Sequence, residues 1–164
     1  MDLIVRTDGI LSCGDKVYRC ALGRGGVGEK QNEGDGITPI GLFPLREVYY
    51  RADRLEKPRT GLPIRETQET DGWCDAPTDP HYNRLIEKPF AASHEDLWRT
   101  DDLYDLIAII GYNDDPVIPG KGSAIFIHIA KPDYQPTEGC IALERNDLLE
   151  ILMSCDPESQ ILIG

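Results

Sequence analysis

Two residues twelve positions apart have types and surroundings suited to nucleophilic chemistry. His128 ends the apolar run Ile125-Phe126-Ile127-His128, and Cys140 follows a glycine in Thr137-Glu138-Gly139-Cys140-Ile141-Ala142-Leu143. Attack of a thiol on a carbonyl needs a thiolate, an imidazole to form and hold it, and backbone N–H groups aimed at the developing oxyanion. A Gly-Cys turn supplies the first and the third, and a histidine on a neighbouring strand supplies the second. Cys140 also precedes a helical pattern, Leu143 to Met153. The expectation is a thiol near the positive end of a helix dipole, with a lowered pKa. The competing reading is a buried structural cysteine and a satisfied core histidine.

The elements around this pair read mainly as β. Leu3-Ile4-Val5-Arg6, Ile10-Leu11-Ser12-Cys13 and Lys16 to Leu22 form short strands, with Asp8-Gly9 and Gly14-Asp15 as turns. Gly23 to Gly28 is glycine-rich but lacks the Gly-Lys-Ser/Thr ending of a phosphate loop, so it reads as a mobile or tightly turning loop. Further strands are expected over Leu42–Tyr50, Leu103–Tyr112, Ala124–Ala130 and Ser159–Ile163. From Arg51 to Pro89 the chain shows little periodicity; Trp73, Cys74, Tyr82 and Asn83 favour an ordered excursion over disorder. Two helices are expected, one starting at Ser93 with Asp96 in its first turn, the other over Leu143–Met153 capped by Asn146. No repeat or linker interrupts residues 1–164, which are expected to form one domain.

Composition narrows the function classes. The 164 residues carry a formal charge of −12, with 40% hydrophobic and 28% charged residues. No basic run is present, which argues against nucleic acid as a partner. The longest apolar run, Leu106 to Ile110, is far below the ~20 residues of a membrane span. Met1 to Arg6 carries no secretory signal. Of five cysteines, none has Cys-x-x-Cys spacing. Reduced, buried thiols are the expected state; Cys13 and Cys20 could pair only by facing each other across a hairpin. His81 and His94, with Asp79 or Asp75, fit no standard metal-ligand spacing. Trp73 and Tyr82 could line a groove, but packing of the long loop is the favoured reading.

His128 followed by Thr137-Glu138-Gly139-Cys140 resembles the histidine and Ser/Thr-x-Gly-Cys pattern of the L,D-transpeptidase catalytic domain (the YkuD-type family). Thr38-Pro39-Ile40-Gly41-Leu42-Phe43 is similar to that family's Thr-Pro-x-Gly-x-Phe element. Gly111-Tyr112-Asn113 and Gly120-Lys121-Gly122-Ser123-Ala124-Ile125-Phe126 resemble a branch in which Tyr-Asn precedes the histidine strand. Two positions depart from the common pattern: Glu138 stands where His is usual, and Ala142 where Arg or Asn is usual. The spacer between histidine and cysteine is also short.

The resemblance implies a twisted β-sandwich or partly closed barrel with one or two short helices. It implies a cysteine acyltransferase acting on peptidoglycan stem peptides, in the periplasm or cell envelope, as a monomer, while the lack of a visible signal leaves the cytoplasm open. Cys140 would form a thioester with loss of D-Ala and pass the acyl group to the amine of a second stem, giving a 3-3 cross-link. His128 would be the base, its second ring nitrogen held by a backbone carbonyl or by Tyr112. The N–H groups of Gly139 and Cys140 would form the oxyanion hole. Thr137 would shape the turn, Tyr112 would reach substrate, and Asn113 would contact substrate or cap a turn. No metal or organic cofactor is implied, and acylation by a carbapenem is expected. Three alternatives stay open: a hydrolase (L,D-carboxypeptidase or amidase) on the same peptides, a non-catalytic wall-binding module, and a zinc protein using His128 and Cys140.

Overall fold

The computed structural model describes residues 1–164. Fourteen strands and one α-helix follow in chain order. They are β1 (Leu3–Val5), β2 (Ile10–Cys13), β3 (Lys16–Arg19), β4 (Val27–Gly28), β5 (Thr38–Pro39), β6 (Gly41–Tyr50), β7 (Ile64–Glu66) and β8 (Asp71–Cys74). After these come β9 (Leu85–Glu87), β10 (His94–Asp96), β11 (Leu106–Ile110), β12 (Phe126–Ile129), β13 (Ile141–Leu143), α1 (Arg145–Met153) and β14 (Gln160–Ile163). The chain is mainly β, as its alternating apolar runs and turn dipeptides require.

The principal sheet runs β13-β12-β11-β6-β14-β1-β2-β3, with β7 beside the second half of β6. Its two ends almost meet: Ala21, just past β3, exchanges backbone hydrogen bonds of 2.8 and 3.0 Å with Ala142 in β13. The result is a barrel-like sheet closed at one seam, and closure leaves few unpaired edges. β12 and β13 are parallel, with His128 opposite Ala142. Alternation then sends Ile127, Ile129, Ile141 and Leu143 into the barrel core, where α1 covers them with Leu148, Ile151 and Leu152. Each such side chain contributes roughly 1.5–3 kcal/mol by burial. Phe126 and Cys140 belong to the opposite face, in a second apolar cluster with Tyr49, Trp73, Leu97, Leu103, Tyr104, Ile107 and Ile109.

That second cluster is roofed by a small sheet, β10-β8-β9. The long segment without sequence periodicity is therefore an ordered wall. The Trp73 ring meets Phe126 edge-on at 5.1 Å. Two expectations are corrected. Ser93–Trp98 is not a helix start: His94–Asp96 is a strand paired with β8. The helix begins at Arg145, its N-cap is Glu144, whose carboxylate accepts the Asp147 N–H, and Asn146 lies inside the helix. Cys13 and Cys20 are free, buried thiols, the expected state. In the β2–β3 hairpin Cys13 faces Lys16, whereas Cys20 bonds Gly9 at the hairpin's other end.

Candidate active site

The turn before β13 places Cys140 by a set of short bonds. Thr137 Oγ1 accepts the Gly139 N–H at 3.1 Å and donates to the Cys140 carbonyl at 2.6 Å. Gly139 has φ +132°, and a Cβ there would lie 2.9 Å from the Ile37 carbonyl oxygen, so a side chain is excluded by both torsion and space. The glycine-rich segment supports the turn from behind. Thr137 N–H donates to Leu22 O and Arg24 N–H to Thr137 O, while Gly23 N–H donates to Thr38 Oγ1 at 2.8 Å. Thr38 is fully buried, which accounts for the Thr-Pro element at that point. The glycines of this stretch thus serve close backbone packing.

A buried ion pair lies under the same turn. Lys30 Nζ, its side chain 2% exposed, donates to Asp35 Oδ1 at 2.7 Å and to Ile37 O at 3.0 Å. Burial opposes ionisation of Asp35, but the Lys30 ammonium and the N–H groups of Ile37, Gln31 and Asn32 outweigh it. Its carboxyl is held well below the ordinary range.

Cys140 and His128 open onto one cleft of about 450 Å³, which Thr137, Glu138, Ser123 and Ala124 also line. The Cys140 thiol donates to Ala124 O at 3.1 Å and accepts the Phe126 N–H at 3.4 Å. Ala124 holds φ +55°, an unusual torsion for a residue with a side chain. His128 Nδ1 lies 2.8 Å from Ile129 O. A carbonyl only accepts, so Nδ1 carries the proton and Nε2 is the free base. The partner left open between a carbonyl and Tyr112 is the carbonyl.

Electrostatics place both groups in their neutral forms. Burial pushes the Cys140 thiol up to about 12, with the Glu95 carboxylate adding to the effect. Burial likewise pushes His128 down to about 4, against the support of the Ile129 carbonyl. The expected lowering by a helix dipole is corrected: strand β13 separates Cys140 from the helix, so the thiol does not sit at the helix N-terminus. Of the two amides expected at the oxyanion hole, Gly139 N–H is committed to Thr137, and Cys140 N–H has no hydrogen-bond partner in the protein.

Tyr112 and Asn113 stand outside the cleft. Tyr112 donates its hydroxyl to Lys121 O at 2.6 Å and meets the Phe43 ring edge-on. Asn113 donates to Ile118 O and Gly122 O and accepts the Ile118 N–H, so its carboxamide organises the 113–122 loop. Both backbone carbonyls are received by Asn83, a buried side chain that makes four bonds: to Tyr112 O, to Asn113 O, from Trp73 Nε1 and from Ala124 N. His81 and His94 flank Phe90, away from the cleft, and no three His, Cys, Asp or Glu side chains gather as metal ligands.

The cleft holds residues that sequence reasoning passed over, Glu33, Glu95, Arg99, Tyr104 and Lys131, and Asp75, which it weighed only as a metal ligand. The Tyr104 ring meets His128 edge-on at 5.3 Å, and its hydroxyl donates to Glu95 at 2.7 Å. One signal for Glu95 was present. In His94-Glu95-Asp96-Leu97 a period of two aligns Glu95 with the buried Leu97 and turns its neighbours outward.

The family model of the L,D-transpeptidase catalytic domain, YkuD, matches residues 8–163. No curated protein matches this sequence. Among solved structures, the chain is similar to the helical cell shape determining protein Pgp2 from Campylobacter jejuni, at 15% identity and a TM-score of 0.49. That alignment covers 99% of this chain and 46% of the other, so this chain spans less than half the length of that structure.

Proposed function

This chain belongs to the L,D-transpeptidase catalytic domain family, and from that premise we propose that it acts as a single catalytic domain transferring acyl groups between peptidoglycan stem peptides in the cell envelope. The observation that carries the reading is the shared cleft of Cys140 and His128, with Nε2 of the imidazole left as the free base by the Ile129 carbonyl.

The neutral resting pair sets the order of events. As Cys140 Sγ attacks the carbonyl of the L-centre of a diaminopimelate residue, its proton passes to His128 Nε2. The oxyanion is received by the Cys140 N–H. Collapse breaks the bond to the terminal D-Ala, whose nitrogen takes the proton back from His128, and a thioester remains. The side-chain amine of a second stem attacks that thioester, the C–S bond breaks, and the thiol re-forms. Gly139 and Thr137 hold the turn in place, and no metal or organic cofactor takes part.

Incubation of the protein with disaccharide-tetrapeptide, read by mass, tests the reaction. A cross-linked dimer is expected. Tripeptide alone would make the protein a hydrolase on the same stems. Intact-mass acylation with a carbapenem, seen in wild type and lost in Cys140→Ala, tests the nucleophile; equal adducts in both would remove Cys140 from the role.

A further inference from the structure

The cleft carries charges of both signs. Arg99 and Lys131 line it and both oppose protonation of the His128 imidazole, while Arg99 also favours the charged form of Glu95. Glu33, Asp75 and Glu95 supply its acidic groups. Glu33 is tied down by hydroxyl donors, Tyr82 at 2.7 Å and Ser123 at 2.5 Å on one oxygen. Glu95 and Asp75 are different. Trp73 pairs with Glu95 across β8 and β10, and Asp75 N–H bonds Ser93 O, so strand alternation puts Asp75 and Glu95 on one face of the small sheet. Glu95 Oε1 takes the Tyr104 hydroxyl, and Oε2 takes no bond from the protein. Asp75 Oδ1 is shielded from solvent and has no hydrogen-bond partner. A buried carboxylate oxygen without a donor is costly, and such a group in a native protein calls for an explanation, a catalytic role among them. These carboxylates do not assemble with other ligands into a metal-binding group.

Resting on the acyl-transfer reading, we infer that Glu95, with Asp75 beside it, receives the ammonium group of the acceptor amine and takes its first proton. Aminolysis requires it: a primary amine has a pKa of about 10 and is protonated at neutral pH, so a proton must leave before nitrogen can attack. Glu95 is suited to accept that proton, because burial raises its carboxyl above the ordinary range, against the Tyr104 hydrogen bond. The step balances. One ammonium proton goes to Glu95 and on to water. A second passes to His128 and then to the Cys140 sulfur as the C–S bond breaks. The third stays on the new amide. Water needs no such carboxylate, so the acidic wall selects amine over water as the group that resolves the thioester.

The test compares wild type, Glu95→Gln and Asp75→Asn on disaccharide-tetrapeptide, with the ratio of cross-linked dimer to tripeptide read by mass over a series of stem concentrations. Gln keeps an acceptor for Tyr104. The ratio is internal to each enzyme, so a partly unfolded sample does not shift it. At least a tenfold fall in the ratio is expected for Glu95→Gln, with a smaller fall for Asp75→Asn and a higher stem concentration needed to reach half of the maximal dimer. An unchanged ratio and unchanged half-saturation in Glu95→Gln overturn this inference while leaving acyl transfer standing. A wild type that yields no dimer overturns both.

Discussion

The carboxamide oxygen of Asn83 accepts the backbone N–H of Ala124 at 3.0 Å, and Ala124 in turn offers its carbonyl to the Cys140 thiol. A residue of the long excursion thus positions the group that holds the resting nucleophile. Asn83 itself sits at φ +58° and Ala124 at φ +55°, and one hydrogen bond joins these two residues of left-handed backbone. Replacing Asn83 by Leu removes all four of its side-chain bonds and buries unpaired groups at Trp73, Ala124, Tyr112 and Asn113. A loss of about 3 kcal/mol or more is expected by urea unfolding. Acylation of Cys140 should slow in the fraction that remains folded, and equal rates would show that the Ala124 carbonyl does not matter to the thiol.

Thr137 makes a second, separable prediction. Its hydroxyl spans the turn from the Gly139 N–H to the Cys140 carbonyl. Thr137→Ser keeps both bonds, and Thr137→Val keeps the shape without them. Carbapenem acylation, followed by intact mass, should fall about tenfold in Val, equivalent to about 1.4 kcal/mol for the displaced turn, and stay close to wild type in Ser. If Val and Ser behave alike, the clasp has no part in placing the nucleophile.

The backbone packing behind the turn can be tested at Gly23. A Cβ there would lie 2.1 Å from the Gly36 carbonyl oxygen and 3.0 Å from Gly139 Cα. Gly23→Ala must therefore move either the loop or the turn beneath Cys140, at a cost of about 3 kcal/mol or more. Gly26, in the same glycine-rich stretch, has open space around its Cβ position and only its φ of +78° against it. Gly26→Ala should cost about 1 kcal/mol. Thermal unfolding of the two variants checks this contrast, and similar losses would mean that the stretch does not pack on the turn.

The pattern of legible and hidden features follows from range. Strands such as Leu42–Tyr50 and Ala124–Ala130 announce themselves because turn residues and apolar runs are local; the structure trims the second to Phe126–Ile129. The Cys140 turn was legible for the same reason. Ser93–Trp98 was misread because Ser followed three residues later by Asp imitates a helix start, while the strand it forms depends on pairing with Asp71–Cys74, about 20 residues away. The dipole expectation failed because Ile141-Ala142-Leu143 continues the apolar pattern of the helix yet pairs with β12. Tyr112 and Asn113 drew notice as a motif, whereas their side chains organise the 113–122 loop and their backbone carbonyls accept from Asn83. Glu95 was hidden because the helix reading of Ser93–Trp98 masked the period of two that aligns it with Leu97.

The neutrality of His128 has a consequence for stability that fixes a sign. An imidazole in the unfolded chain titrates near 6.5, and burial lowers His128 to about 4 in the fold. Between those values the unfolded state binds more protons than the native state, so stability rises with pH and is lost as pH falls from about 6.5 toward 4. Below that window the group contributes no further slope. The full span corresponds to about 3 kcal/mol. Asp35 acts in the same direction at lower pH: its depressed pKa stabilises the fold above the ordinary carboxylate value, and that contribution fades as pH falls below it. Urea unfolding at pH 7 and pH 4.5 of wild type and His128→Gln isolates the histidine, since the carboxylates are common to both. Wild type should lose about 2–3 kcal/mol more than the variant over that interval. The same neutrality bears on rate. An imidazole that stays unprotonated to about pH 4 remains available as a base, so carbapenem acylation corrected for folded fraction should show no acid limb near 6.5. An acid limb at that pH, or parallel stability losses in the two proteins, would mean that His128 keeps an ordinary imidazole pKa in the fold.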